Sequence, residues 1–110
     1  MKTIVETLAK KGVVCRRLDR NEPRELGSRK RVEIYHGVMT DDYYCLVLLV
    51  KKKSRILRKE AEELMQLHRR LEEKTEAKIK RLYLLYDAPI CSKASARLKE
   101  KGWRVIPLIS

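Results

Sequence analysis

Lys51-Lys52-Lys53-Ser54-Arg55 places four cations within five residues, directly after the apolar run Tyr43-Tyr44-Cys45-Leu46-Val47-Leu48-Leu49-Val50. Ammonium and guanidinium groups gathered at one point of a fold are suited to holding phosphate oxygens, and they gain by releasing counterions condensed on a polyanion. A second basic group, Arg24, Arg29, Lys30 and Arg31, follows Pro23 and surrounds Gly27 in a polar stretch that predicts a loop. With Lys51, Lys52, Lys53 and Arg55 it forms a candidate surface for a phosphate backbone. Other residues with chemical potential have simpler readings. Asp41-Asp42 before a strand predicts a turn, and His68 on an apolar helical stripe predicts a packed histidine. Tyr43, Tyr44, Tyr83 and Tyr86 carry rings that stack on bases, but their strand positions predict core or dimer packing.

The whole chain shares the basic bias. Of 110 residues, 27 are Lys or Arg and 15 Asp or Glu, a formal charge of +12. Residues 56–78 hold six basic and six acidic groups, so the excess lies on the flanks. This balance favours a nucleic-acid partner, with DNA ahead of RNA. Cys15, Cys45 and Cys91 are widely spaced in apolar surroundings and predict reduced, packed thiols rather than a disulfide framework or zinc knuckle. No stretch resembles a signal peptide or approaches the ~18 apolar residues of a membrane span. A cytoplasmic location without membrane contact is therefore expected. One Asn, one Gln and 38% charged residues suit a heat-adapted organism.

The elements that must position the basic edge follow from periodicity. Ile4, Val5 and Leu8 recur at helical spacing over residues 3–11, with Gly12 as a stop. Val13-Val14-Cys15 begins a short strand. Arg31 to His36 alternates, with Val32, Ile34 and His36 on one face and Arg31, Glu33 and Tyr35 on the other. Thr40-Asp41-Asp42 turns this strand into the apolar one, predicting a hairpin. Residues 56–76 form a helix with Leu57, Ala61, Leu64, His68 and Leu71 as its inner stripe. Ile79 to Tyr86 is a strand. Ser92 caps a helix that ends at Gly102, and Trp103 to Ile109 is the last strand. The order α-β-β-β-α-β-α-β predicts an α/β, three-layer sandwich with a central mixed sheet, built as a single domain over residues 1–110.

This order resembles the restriction-endonuclease-like, or PD-(D/E)XK, nuclease superfamily, including its small archaeal members related to Holliday-junction resolvases. The resemblance covers nearly the whole chain. It implies an acid on the first helix, an acid on the second strand and an E-x-K on the third, converging on magnesium or manganese. Carried across, Glu6 matches the helix acid, Glu33 is the candidate for the strand acid, and Lys51 falls on the motif lysine. The motif glutamate should stand at position 49, where this chain has Leu49. Family spacing would also put the strand acid nearer His36 or Gly37. A leucine offers no oxygen to a hard cation.

The resulting expectation is a nucleic-acid-binding protein on a nuclease-like scaffold without cutting activity and without a required cofactor. The alternative is an active endonuclease or junction resolvase, with Lys51, Glu6 and Glu33 catalytic and Glu33 and Glu6 holding Mg or Mn. A further alternative is a protein-interaction subunit, which the superfamily's dimeric habit would express as a homodimer.

Overall fold

The apolar run becomes strand β3 (Tyr44–Lys51), in which Cys45 through Val50 are all buried. A strand closed to water on both faces needs cover on each side, and the chain supplies it. A computed structural model describes residues 2–21 and 32–108. In chain order these form α1 (Lys2–Lys10), β1 (Cys15–Asn21), β2 (Glu33–Met39), β3, α2 (Arg58–Thr75), β4 (Arg81–Asp87), α3 (Ser92–Glu100) and β5 (Trp103–Pro107).

The five strands lie in the sheet in the order in which they occur in the chain. β2 runs antiparallel to both of its neighbours, β1 and β3, and β4 and β5 continue parallel to β3. One face packs Ile34, Leu46, Leu48, Leu84 and Trp103 against Ala61, Leu64, Leu67 and Leu71 of α2 and Ala94 and Leu98 of α3. The other packs Tyr35, Val47, Leu49, Leu85 and Ile106 against Ile4 and Leu8 of α1. Both crossover helices share one face, as two connections of the same hand stepping in one direction require. The result is the three-layer α/β sandwich with a mixed sheet.

Some boundaries depart from the sequence reading. β1 opens at Cys15, two residues after the start expected at Val13, and runs on to Asn21. Its polar residues lack a clean alternation because both of its faces are partly open to water. Leu57 is 55% exposed and precedes the first turn of α2, and the buried residues of the helix are Ala61, Leu64, Leu67 and Leu71. Cys91, not Ser92, occupies the position before α3, and Ser92 is its first helical residue. The β2–β3 turn is as expected: Asp42 adopts φ 70°, its amide donates to the Met39 carbonyl at 3.0 Å, and the Asp41 carboxylate accepts from the Tyr43 amide at 3.1 Å.

Gly37 on β2 is required by close approach. A Cβ there would stand 1.9 Å from the Arg17 carbonyl oxygen, so β1 closes over β2 only because the side chain is missing.

Candidate functional site

Three parallel strands end at the same edge of the sheet, and their last residues are Lys51, Asp87 and Pro107. Lys51 and Asp87 are register partners. The chain leaving β3 does not swing free. The Lys52 amide donates to Asp87 O at 3.4 Å, the Ile56 amide to Pro89 O at 2.8 Å, and the Cys91 amide to Ile56 O at 2.9 Å. Ile56 is fully buried and forms a parallel bridge with Ile90. The basic run is therefore stitched along the loop after β4. Lys52, Lys53, Tyr86, Asp87, Pro89 and Leu108 border an open groove of about 480 Å³ at this edge. The carboxyl ends of parallel strands are where open α/β sheets commonly place ligands.

The four cations of the run are not equivalent. Lys51, Lys53 and Arg55 are exposed. Lys52 is partly buried and its ammonium pairs with the Glu60 carboxylate in the first turn of α2. Its charge is thus already matched from within the protein. Arg29, Lys30 and Arg31, with Arg24, lie outside the described residues.

Glu33 stands directly opposite Leu49 in the β2–β3 register. Both residues and Lys51 lie on the α1 face, since Tyr35 and Leu49 pack there and alternate residues share a face. Glu33 Oε1 accepts from the Tyr35 hydroxyl at 2.8 Å and lies 3.9 Å from Arg20 Nη1. Burial and this bond to Glu33 push the Tyr35 phenol up to about 12, so the phenol stays a donor at every physiological pH. Leu49 is only 4% exposed and belongs to the core beneath α1.

Glu6 is exposed. It sits about 200° round α1 from both Ile4 and Leu8, which face the sheet. The helix therefore directs Glu6 away from the sheet. Among the described residues, no three His, Cys, Asp or Glu side chains gather as a metal-holding group. The donors present do not fit the hard-cation site that the superfamily resemblance implies.

His36, near where family spacing placed the strand acid, stacks on Tyr44 with ring centroids 5.6 Å apart. Its Nε2 is buried without a hydrogen-bond partner among the described residues. Burial lowers its pKa, opposed by the charge of Asp19. His68 is a packed residue: Nε2 lies 3.1 Å from Ile79 O and 3.2 Å from Glu72 Oε2, and its ring meets Trp103 edge-on. Tyr83 is core, while Tyr43 and Tyr44 are 44% and 43% exposed. Arg81 lies over the Tyr43 ring, 4.6 Å from its centroid.

Sequence reasoning missed the Lys52–Glu60 pair and the facing of Glu33 and Leu49. The second was within reach. A turn centred on Asp41 makes residues eight positions to either side, Glu33 and Leu49, cross-strand partners.

No protein-family model and no curated relative matches this chain. Solved structures do. EndoMS in its apo form superposes with a TM-score of 0.64 at 17% identity, covering 99% of this chain and 44% of that one. The chain has a restriction-endonuclease-like fold. A repair endonuclease from Pyrococcus abyssi gives 0.53 at 14% identity over 83% of this chain and 38% of its own. EndoMS in a complex with dsDNA gives 0.52 at 16% identity over 97% and 43%. This chain therefore spans less than half the length of the solved chains it matches. No helix among the described residues is long and apolar enough to cross a membrane.

Proposed function

We propose that this protein binds DNA through the edge formed by Lys51, Lys53 and Arg55 and does not hydrolyse it. The observation that carries this reading is Leu49, buried directly opposite Glu33 and two residues before Lys51. A divalent ion at this point of the fold needs an oxygen from position 49. The methyl groups there supply none, and Glu33 is already engaged by Tyr35 and Arg20. Glu6, turned away from the sheet, does not make good the loss.

The binding half of the proposal rests on the exposed cations and the net charge of +12. DNA as the polyanion is supported by the similarity of fold to EndoMS, whose complex with dsDNA is one of the matched structures. Contacts from lysines at a strand end are to phosphate, so binding is directed by backbone and shape rather than by sequence.

The test is a mobility-shift titration on duplex, branched and single-stranded DNA at low and moderate salt, followed by incubation of the same substrates with magnesium or manganese. The expected result is salt-sensitive binding and intact DNA. Failure to bind at low salt ends the proposal. Cleavage that disappears in Lys51→Ala replaces it with an active endonuclease.

A further inference from the structure

Three sulfur atoms meet on the α1 face, away from the basic edge. Cys15 Sγ lies 3.9 Å from Cys45 Sγ and 3.7 Å from Met39 Sδ. They come from three neighbouring strands. Cys15 opens β1 as the register partner of Met39 on β2, while Cys45 on β3 pairs with Gly37. Next to it, the β1 backbone at Arg17 and Leu18 closes on Gly37, where no side chain stands in the way. Cys45 is fully buried and Met39 only 7% exposed. Cys15 is half-buried and lies on the rim of an apolar groove with Val5, Val14 and Leu18, which gives a small ion a route in.

The topology argues against a disulfide as the purpose of this cluster. β2 lies between β1 and β3, and a strand spacing of about 4.8 Å sets their backbones on the order of 9 Å apart. That exceeds the ~7 Å limit between Cα atoms that a disulfide bridges. A metal ion spans the gap without moving either strand. Bonds of about 2.3 Å from sulfur to metal, opened to 110–120°, separate the sulfurs by roughly 3.8–4.0 Å. The spacing found here is close to that. Two thiols and a thioether, with no imidazole or carboxylate in the group, form a soft ligand set that selects Cu(I) over zinc and over hard cations.

We propose that Cys15, Met39 and Cys45 form a binding site for a soft monovalent cation of the Cu(I) class, tying edge strand β1 to central strand β3. The cation takes three sulfur ligands, and the Cys15 and Cys45 thiols each release their proton to solvent as they bind it. This site is independent of the DNA-binding reading.

The test is anaerobic titration of the reduced full chain with Cu(I) against the chromophoric chelator bicinchoninate. The expected result is withdrawal of one equivalent from the chelator, an ultraviolet thiolate-to-copper band and a rise in melting temperature. Cys91→Ser should leave all three unchanged. Cys15→Ser should lose the band and the withdrawal. Met39→Leu, which keeps the volume of the core, should keep its circular dichroism and lose the competition at equimolar chelator. The proposal fails if one-equivalent binding survives both Cys15→Ser and Met39→Leu, or if it follows Cys91. Quantitative Cys15–Cys45 disulfide formation in the native protein treated with diamide would also overturn it, because the strands would then approach more closely than described.

Discussion

Glu33 on β2 and Leu49 on β3 face each other across an antiparallel pair, a carboxylate opposite a buried aliphatic group. Position 49, two residues before Lys51, offers no oxygen beside the Glu33 carboxylate. Leu49→Glu places a second carboxylate there. Without metal the variant buries a charge beside Glu33, and we expect a loss on the order of 3 kcal/mol. Manganese should then raise its melting temperature while leaving the original protein unmoved. A calorimetric scan with and without the ion checks this, and an unresponsive variant would show that position 49 is not what blocks metal binding.

The cations after β3 should differ in their contribution to DNA affinity. Lys51→Ala and Lys53→Ala should each reduce the slope of log affinity against log salt by about 1, as expected for loss of one phosphate contact. Lys52→Ala should change the slope less, because its ammonium is already paired with Glu60. Binding isotherms at four or five salt concentrations distinguish the three. Equal slopes for all three variants would mean the Lys52–Glu60 pair opens on binding.

Gly37→Ala is expected to be among the most damaging single-methyl additions in the chain. The new carbon would lie 1.9 Å from the Arg17 carbonyl oxygen and 2.9 Å from Leu18 Cα, both backbone atoms that no rotamer change can move. We expect a loss of about 3 kcal/mol, read from the urea midpoint at constant slope. A loss under about 0.5 kcal/mol, the range of ordinary surface changes, would mean β1 is held loosely.

His36 should make stability fall on acidification. Burial lowers its folded pKa below the ordinary 6.5, so the unfolded chain binds the proton more readily. The contribution is complete above pH 6.5 and is lost as pH falls through 6.5 toward the folded value. Asp19, facing it from β1, works against the shift and limits its size. In His36→Leu the decline between pH 7 and pH 5, followed by thermal melts, should be shallower than in the original protein. Identical profiles would show that His36 titrates normally.

The order of elements was legible because each has a local signature: alternation in β2, an unbroken apolar run in β3, helical spacing in α2, and glycines 12 and 102 at positive φ after helices. β1 was legible only at its start, Val13-Val14-Cys15, because Cys-Arg-Arg-Leu-Asp-Arg-Asn has no hydrophobic face to carry the reading onward. In the candidate site, Lys51, Lys53 and Arg55 were visible as a run. The partner of Lys52 lies eight residues onward, on a helix whose docking only the fold decides. The sulfur cluster was hidden for the same reason. Cys15, Met39 and Cys45 become neighbours through strand register, which a count of cysteines does not reveal.

Because spatial order equals chain order across the sheet, no strand must be inserted between two that have already paired. Each pairing closes a loop only as long as one connection, which keeps the entropic cost of every step small. A chain emerging from the ribosome can therefore lay down its sheet one strand at a time, with each new edge waiting only for the next segment to be synthesised.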